Sequence, residues 1–199
     1  MEKQIYTPVK SALFSGHRFL SFSKIPILKV KLKSAIKSHY ANGVRHFYCG
    51  MAVGFDMLAA ETALAMKEIY PDIRLTAVIP YRQQAKGWNT QNQERYADIL
   101  NKADNIVILS EYYYRGCLLR RNDYMLKNAH HLIAYYDGKQ MGGTYYTCKK
   151  SRGFGSLYDE PVLKNNLPCT SVQGRCSFIT KHSGRRIFLF LALQSVRHS

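Results

Sequence analysis

The sequence predicts an α/β fold: a Rossmann-like, doubly wound, mostly parallel sheet with helices on both faces. Up to about residue 150, short apolar runs alternate with longer stretches of helical spacing, five times over. Most of the short runs close on glycine or proline, as a strand does when it turns sharply before a helix. A length of 199 residues with a 46% hydrophobic share suits one domain with a buried core.

The first strand is expected at Ala12–Ser15, closed by Gly16. Leu28, Leu32, Ala35, Ile36 and Tyr40 then recur at helical spacing, and Asn42-Gly43 supplies a stop. Arg45–Cys49 is the second strand, closed by Gly50, and the alanine-rich stretch Asp56–Tyr70 is a helix ended by Pro71. Arg74–Ile79, ended by Pro80, is the third strand. Thr90 and Gln93 have the spacing of a capping box for a helix whose stripe is Tyr96, Ile99, Leu100 and Ala103. Asn105–Ser110 follows as the fourth strand, and Leu118, Asn122, Met125 and Ala129 mark the next helix. His131–Tyr136 is the fifth strand, Asp137-Gly138 a turn, and Gly142-Gly143-Thr144 opens a last helix. This unit is assigned to residues 1–150. Residues 151–199 lose the rhythm and are expected to form an irregular or poorly ordered tail.

The net charge of +16 divides into +11 over residues 1–150 (22 basic, 11 acidic) and +5 over the rest (7 and 2). Such a surface attracts anions, whether small phosphates, nucleic acid or acidic surfaces. The longest apolar run, Ile187–Leu193, falls short of the ~20 residues a membrane span needs, so no membrane partner is expected. The first residues do not read as a secretory signal, and a cytoplasmic location is expected. Five scattered cysteines without a C-x-x-C pair read as reduced thiols, and no metal site is indicated.

Ligands of open parallel sheets sit beyond the carboxyl ends of the strands. Here those ends carry Ser15-Gly16-His17-Arg18, then Gly50-Met51-Ala52-Val53-Gly54-Phe55-Asp56, and later Gly142-Gly143-Thr144. Small residues let backbone amides approach a phosphate, and a helix amino terminus adds unpaired donors and partial positive charge. Arg18 and Arg121 are expected to neutralise charge. Asp56 reads as a ribose contact or a plain helix cap, and Tyr112-Tyr113-Tyr114 as base stackers or loop packing. Neither a P-loop nor a G-x-G-x-x-G fingerprint is present.

The ordered set Phe14–Arg18, Cys49–Asp56 with Ala59-Ala60-Glu61, Ile79-Pro80-Tyr81 with Gln84 and Trp88, Arg121-Asn122, and Gly142–Thr144 resembles the YpsA-like proteins (DUF1273) of the SLOG superfamily. That superfamily includes the DNA-processing protein DprA and the LOG phosphoribohydrolases. The resemblance implies a Rossmann-like fold. It also implies a pocket for a nucleotide or nucleotide-derived ligand at the turns after strands two and five, with Pro80, Tyr81, Trp88 and Asn122 beside it. LOG enzymes carry a glutamate three residues after the threonine of their glycine motif; here Thr147 stands there. The expected role is a ligand-binding protein, a sensor or regulator. Two alternatives stand beside it: a nucleotide-processing enzyme using Asp56 or Glu61, and DprA-like single-strand binding. No cofactor is named beyond a nucleotide-type ligand, and self-association is left open.

Overall fold

The computed structural model describes residues 10–153. The elements run β1 (Lys10–Gly16), α1 (Ile25–Ala41), β2 (Val44–Cys49), α2 (Phe55–Met66), β3 (Arg74–Ile79), α3 (Thr90–Lys102), β4 (Asn105–Ile108), α4 (Cys117–Asn128), β5 (His131–Tyr135) and α5 (Gly142–Gly153), with a 3-10 turn at Phe22–Lys24. All the strand pairs are parallel and the sheet order is β4-β3-β2-β1-β5.

The order explains the composition of the strands. Three crossovers step outward from β1 to β4, and the fourth carries the chain back across the sheet to lay β5 on the other side of β1. Helices therefore cover both faces, and interior strands bury both sets of side chains: Leu75–Ile79 of β3 are all buried. One core gathers Phe14, Leu32, Ile36, Phe47, Phe55, Met57, Leu75 and Ile99 from the face covered by α1, α2 and α3. A smaller one gathers Leu13, Val78, Met125, Leu126, Leu132 and Cys148 under α4 and α5. α2 packs between α1 and α3, which is why its alanine-rich sequence is buried on nearly every side.

Several boundaries differ from the sequence expectation. α2 begins at Phe55 and ends at Met66, and the chain to Tyr70 leaves it in turns, with the Tyr70 amide donating to the Met66 carbonyl at 2.9 Å. In α1 the inward residue of the last turn is His39, while Tyr40 lies half-buried against Tyr70. The capping box at Thr90 does not form. Asn89 is the N-cap, its Oδ1 accepting from the Asn92 amide at 2.9 Å, and Gln93 instead donates to the carbonyls of Ala85 and Lys86. β4 and β5 each stop before the predicted end, at Ile108 and Tyr135. The stretch expected to form an irregular tail lies, from residue 154 onward, outside the described residues.

Candidate functional site

The chain reverses its direction of travel across the sheet between β1 and β5, so the carboxyl ends of these two strands, where Gly16 pairs with Tyr135, border the crevice that a doubly wound sheet leaves open. A cleft of about 410 Å³ lies there. The end of β1 and the residues after it supply Ser15, Gly16, His17 and Arg18, the turn into α2 supplies Ala52, the first turn of α2 supplies Asp56, α4 supplies Arg121 and Asn122, and α5 supplies Gly143 and Thr144. Tyr113 closes one side.

The floor is a buried ion pair. Asp56, in the first turn of α2, lies 3.7 Å from the Arg121 guanidinium, and both side chains are almost wholly removed from solvent. Arg121 also donates to the Gly50 carbonyl and, through Nε, to Asn122 Oδ1 at 2.8 Å. The Asp56 carboxylate accepts from the Ala52 amide at 3.3 Å. Burial pushes the Asp56 carboxyl's pKa up, opposed by Arg121; burial likewise pulls the Arg121 guanidinium's pKa down, opposed by Asp56. Each charge is held in place by the other.

The turn after β2 is stitched to this floor. Three of its amides are engaged inside the protein: Met51 with Cys49 Sγ, Ala52 with Asp56, and Phe55 with the His17 carbonyl at 3.0 Å. Met51 has φ +56, its side chain is buried in the core, and its carbonyl accepts from the buried Gln84 at 3.0 Å. The glycines serve close approach within the fold. A Cβ at Gly50 would strike the Arg121 guanidinium, and one at Gly54 (φ +93) would strike the Arg18 carbonyl. Gly50, Met51, Gly54 and Phe55 thus form the wall behind the cleft and do not line it.

The start of α5 is open by contrast. Helix amino termini leave their first amides without intrahelical partners, and among the described residues no acceptor meets those of Gly143 and Thr144. A Cβ at Gly142 (φ +84) would meet nothing within 4 Å. Arg18, exposed, lines the same cleft. His17 bridges the two strand ends: its Nε2 accepts from the Asp137 amide at 3.1 Å and lies 3.2 Å from the Asp137 carboxylate, and its ring stacks on Tyr136.

Not every predicted residue converges here. Tyr81 and Trp88 line a neighbouring cleft of about 500 Å³ with Gln84, Glu111, Tyr112 and Tyr113. Pro80 is buried at the end of β3 and Gly142 stands just outside the first cleft. Glu61 is held by Arg95 through two hydrogen bonds of 2.8 and 3.0 Å and lines neither cleft. Thr147 is fully buried and its hydroxyl donates to the Gly143 carbonyl at 2.9 Å, so it closes the first turn of α5. The residue missed as a central element is Tyr113, which lines both clefts and meets Tyr81 edge-on at 5.4 Å. Tyr112 and Tyr113 are exposed, and Tyr113 packs on Tyr81 within its loop cluster.

A sequence profile described as the YspA SLOG family matches residues 14–160. The chain is 26% identical over 141 residues to a UPF0398 protein of Levilactobacillus brevis, covering 70% of this chain and 75% of that one. It is 23% identical over 154 residues to a UPF0398 protein of Bacillus thuringiensis, covering 76% and 82%. Among solved structures it resembles DNA processing protein A from Helicobacter pylori, studied for its single-stranded DNA binding mode, with a TM-score of 0.53 and 19% identity over 76% of this chain and 65% of that one.

Proposed function

Since the chain belongs to the YspA SLOG family, we propose that the cleft between β1 and α5 binds a nucleotide or nucleotide-derived ligand, and that occupancy, read by a partner, is the protein's role. The observation that carries this is the open amino terminus of α5 lining, together with Arg18, one cleft of about 410 Å³. Free amides and a helix dipole favour a phosphate, a guanidinium neutralises it, and the volume suits a mononucleotide. The phosphate sits on Gly143 and Thr144. The base lies toward Tyr113, with Tyr81 and Trp88 beyond it, since a tyrosine face stacks on any base. Asp56 and Arg121 shape the floor and are each other's partner, so the ligand's charge falls to Arg18.

The unit that does this is residues 1–150, working in the cytoplasm. Among the described residues no helix is long and apolar enough to cross a membrane.

Trp88 is the protein's one tryptophan, so fluorescence reports on the neighbouring cleft while calorimetry reports on the whole event. Adenosine monophosphate should bind saturably and change the emission of Trp88. Arg18→Ala should weaken it roughly ten- to a hundred-fold, the worth of a charge-assisted hydrogen bond. Gly143→Val, at a position open enough to take a side chain, should weaken it as well. No saturable binding of any mononucleotide, or affinity indifferent to both substitutions, would overturn the assignment. Release of free base during incubation would point to the enzymatic alternative.

A further inference from the structure

The sheet's α1 side carries a second feature that the cleft does not use. From Lys10 to Phe55 the sequence has no acidic residue, while Lys10, Arg18, Lys24, Lys29, Lys31, Lys33, Lys37 and Arg45 are all basic. Within this stretch four large apolar side chains point into solvent: Phe19 (95% exposed), Phe22 (89%), Val30 (68%) and Ile27 (61%). The phenylalanines lie in the connection that leads into α1. Ile27 and Val30 stand one turn apart on its outward face, opposite the row Leu28, Leu32, Ile36 and His39 that packs on the sheet. Lys29, Lys33 and Lys37 surround them, exposed, and no ion pair holds Lys24, Lys29, Lys31, Lys33 or Lys37 among the described residues.

We propose that this face docks on an anionic lipid surface, with Phe19, Phe22, Ile27 and Val30 entering the headgroup–acyl boundary and the α1 lysines meeting lipid phosphates. Three observations favour that occupant. Apolar residues central to a helix face and lysines around them are the pattern of an interfacial helix. Two aliphatic side chains among the four gain from an acyl phase and little from a base, which argues against a nucleic-acid strand. A second copy of the chain would bring one lysine-rich face against another, which repels. The lack of a spanning helix bears on crossing a membrane, not on resting against one. The cytoplasmic leaflet is the negative one. The proposal does not depend on what the cleft binds.

The test is co-sedimentation of the full chain with vesicles of phosphatidylcholine alone or mixed with phosphatidylglycerol. Binding is expected only to the mixed vesicles and should fall with added salt. Lys29→Gln, Lys33→Gln and Lys37→Gln together should lower the partition coefficient on the order of a hundred-fold, from roughly fivefold per lysine. Phe19→Ser with Phe22→Ser should lower it about ten-fold or more. These side chains are exposed, so the fold is expected to survive, and thermal unfolding checks that it does. Lys127→Gln with Lys149→Gln removes charge from α4 and α5 on the opposite face of the sheet and should change little. The proposal is overturned if the mixed vesicles do not bind, or if the phenylalanine pair makes no difference. It is also overturned if the control lysines matter as much as those of α1, or if the same variants abolish binding of a single-stranded oligonucleotide while vesicle binding is unaffected.

Discussion

A guanidinium with almost no access to water must have its charge answered inside the protein, and Arg121 finds the answer in the Gly50 carbonyl, Asn122 and Asp56. Removing one partner of a buried pair leaves the other charged and desolvated, at a cost of roughly 3–5 kcal/mol. Arg121→Met should therefore destabilise the fold by about that much at neutral pH, and Asp56→Asn in the same chain should recover most of the loss. The pH dependence has a defined sign. Burial already holds the folded Asp56 pKa above its unfolded value, and losing Arg121 raises it further. The native state then binds more protons than the unfolded chain, so stability falls as pH rises through the folded pKa. The deficit of Arg121→Met should thus be smallest in acid, near the unfolded carboxyl value of about 4, and grow toward neutrality. Denaturant titrations of single and double variants across that range check it. A deficit independent of pH, or one that Asp56→Asn leaves untouched, means the two charges are not coupled. The sequence reading gives Arg121 to the ligand's charge instead, because the row that buries it, Cys117, Arg121 and Met125 at i, i+4 and i+8 of α4, lies beside the marker residues Leu118, Asn122 and Ala129 that locate the helix. Which carboxylate answers Arg121 is not legible either, because Asp56 is distant in sequence and reaches Arg121 only through the sheet.

Elements are legible in the sequence wherever one strong local signal decides them. β3 spans Arg74–Ile79, as a short run rich in β-formers and ended by Pro80 implies, and Asn42-Gly43 ends α1 with Gly43 at φ +87. Boundaries slipped where two adjacent residues offered the same chemistry. Asn89 and Thr90 are both good caps, but Asn89 is the extended one (ψ 156) and its side chain takes the Asn92 amide. Gln93, the expected reciprocal partner, is drawn away by the carbonyls of Ala85 and Lys86 in the preceding turn. Asn89→Ala should cost about 1 kcal/mol of stability, whereas Thr90→Ala, which removes no cap, should stay within about 0.5 kcal/mol. Thermal unfolding of the two variants compares them directly. A larger loss for Thr90→Ala would restore the capping box. α2 ends earlier than its composition implies for a related reason: Lys67–Tyr70 keep helical composition, but the i→i−3 bonds of Lys67 and Ile69 show the helix tightening and ending at Met66.

At the scale of the molecule the decisive fact is where β5 goes, and no local pattern encodes it. Periodicity predicts five strands but not that the fifth lies beside the first, and that placement makes Ser15–Arg18 face α5 while leaving Tyr81 and Trp88 in a cleft of their own. The glycine turns did mark the right edge of the sheet. Their chemistry divides because the turn after β2 engages three of its amides with Asp56, His17 and Cys49, and among the described residues the start of α5 does not. The net charge of +16 is likewise a property of the whole surface, so it adds to any long polyanion more than to a ligand held in one cleft. This separates the two binding modes by salt. A mononucleotide in the cleft meets Arg18 and helix amides, and its affinity should change by less than about ten-fold between roughly 50 and 200 mM salt. A long single strand engages many lysines and releases a counterion for most phosphates it contacts, so its affinity should fall on the order of a hundred-fold or more over the same range. Filter binding with oligothymidylate beside calorimetry with adenosine monophosphate reads both slopes. If only the strand binds, with the steep slope, and Arg18→Ala merely reduces that slope by about one contact, the cleft is one step on a strand path and not a mononucleotide seat.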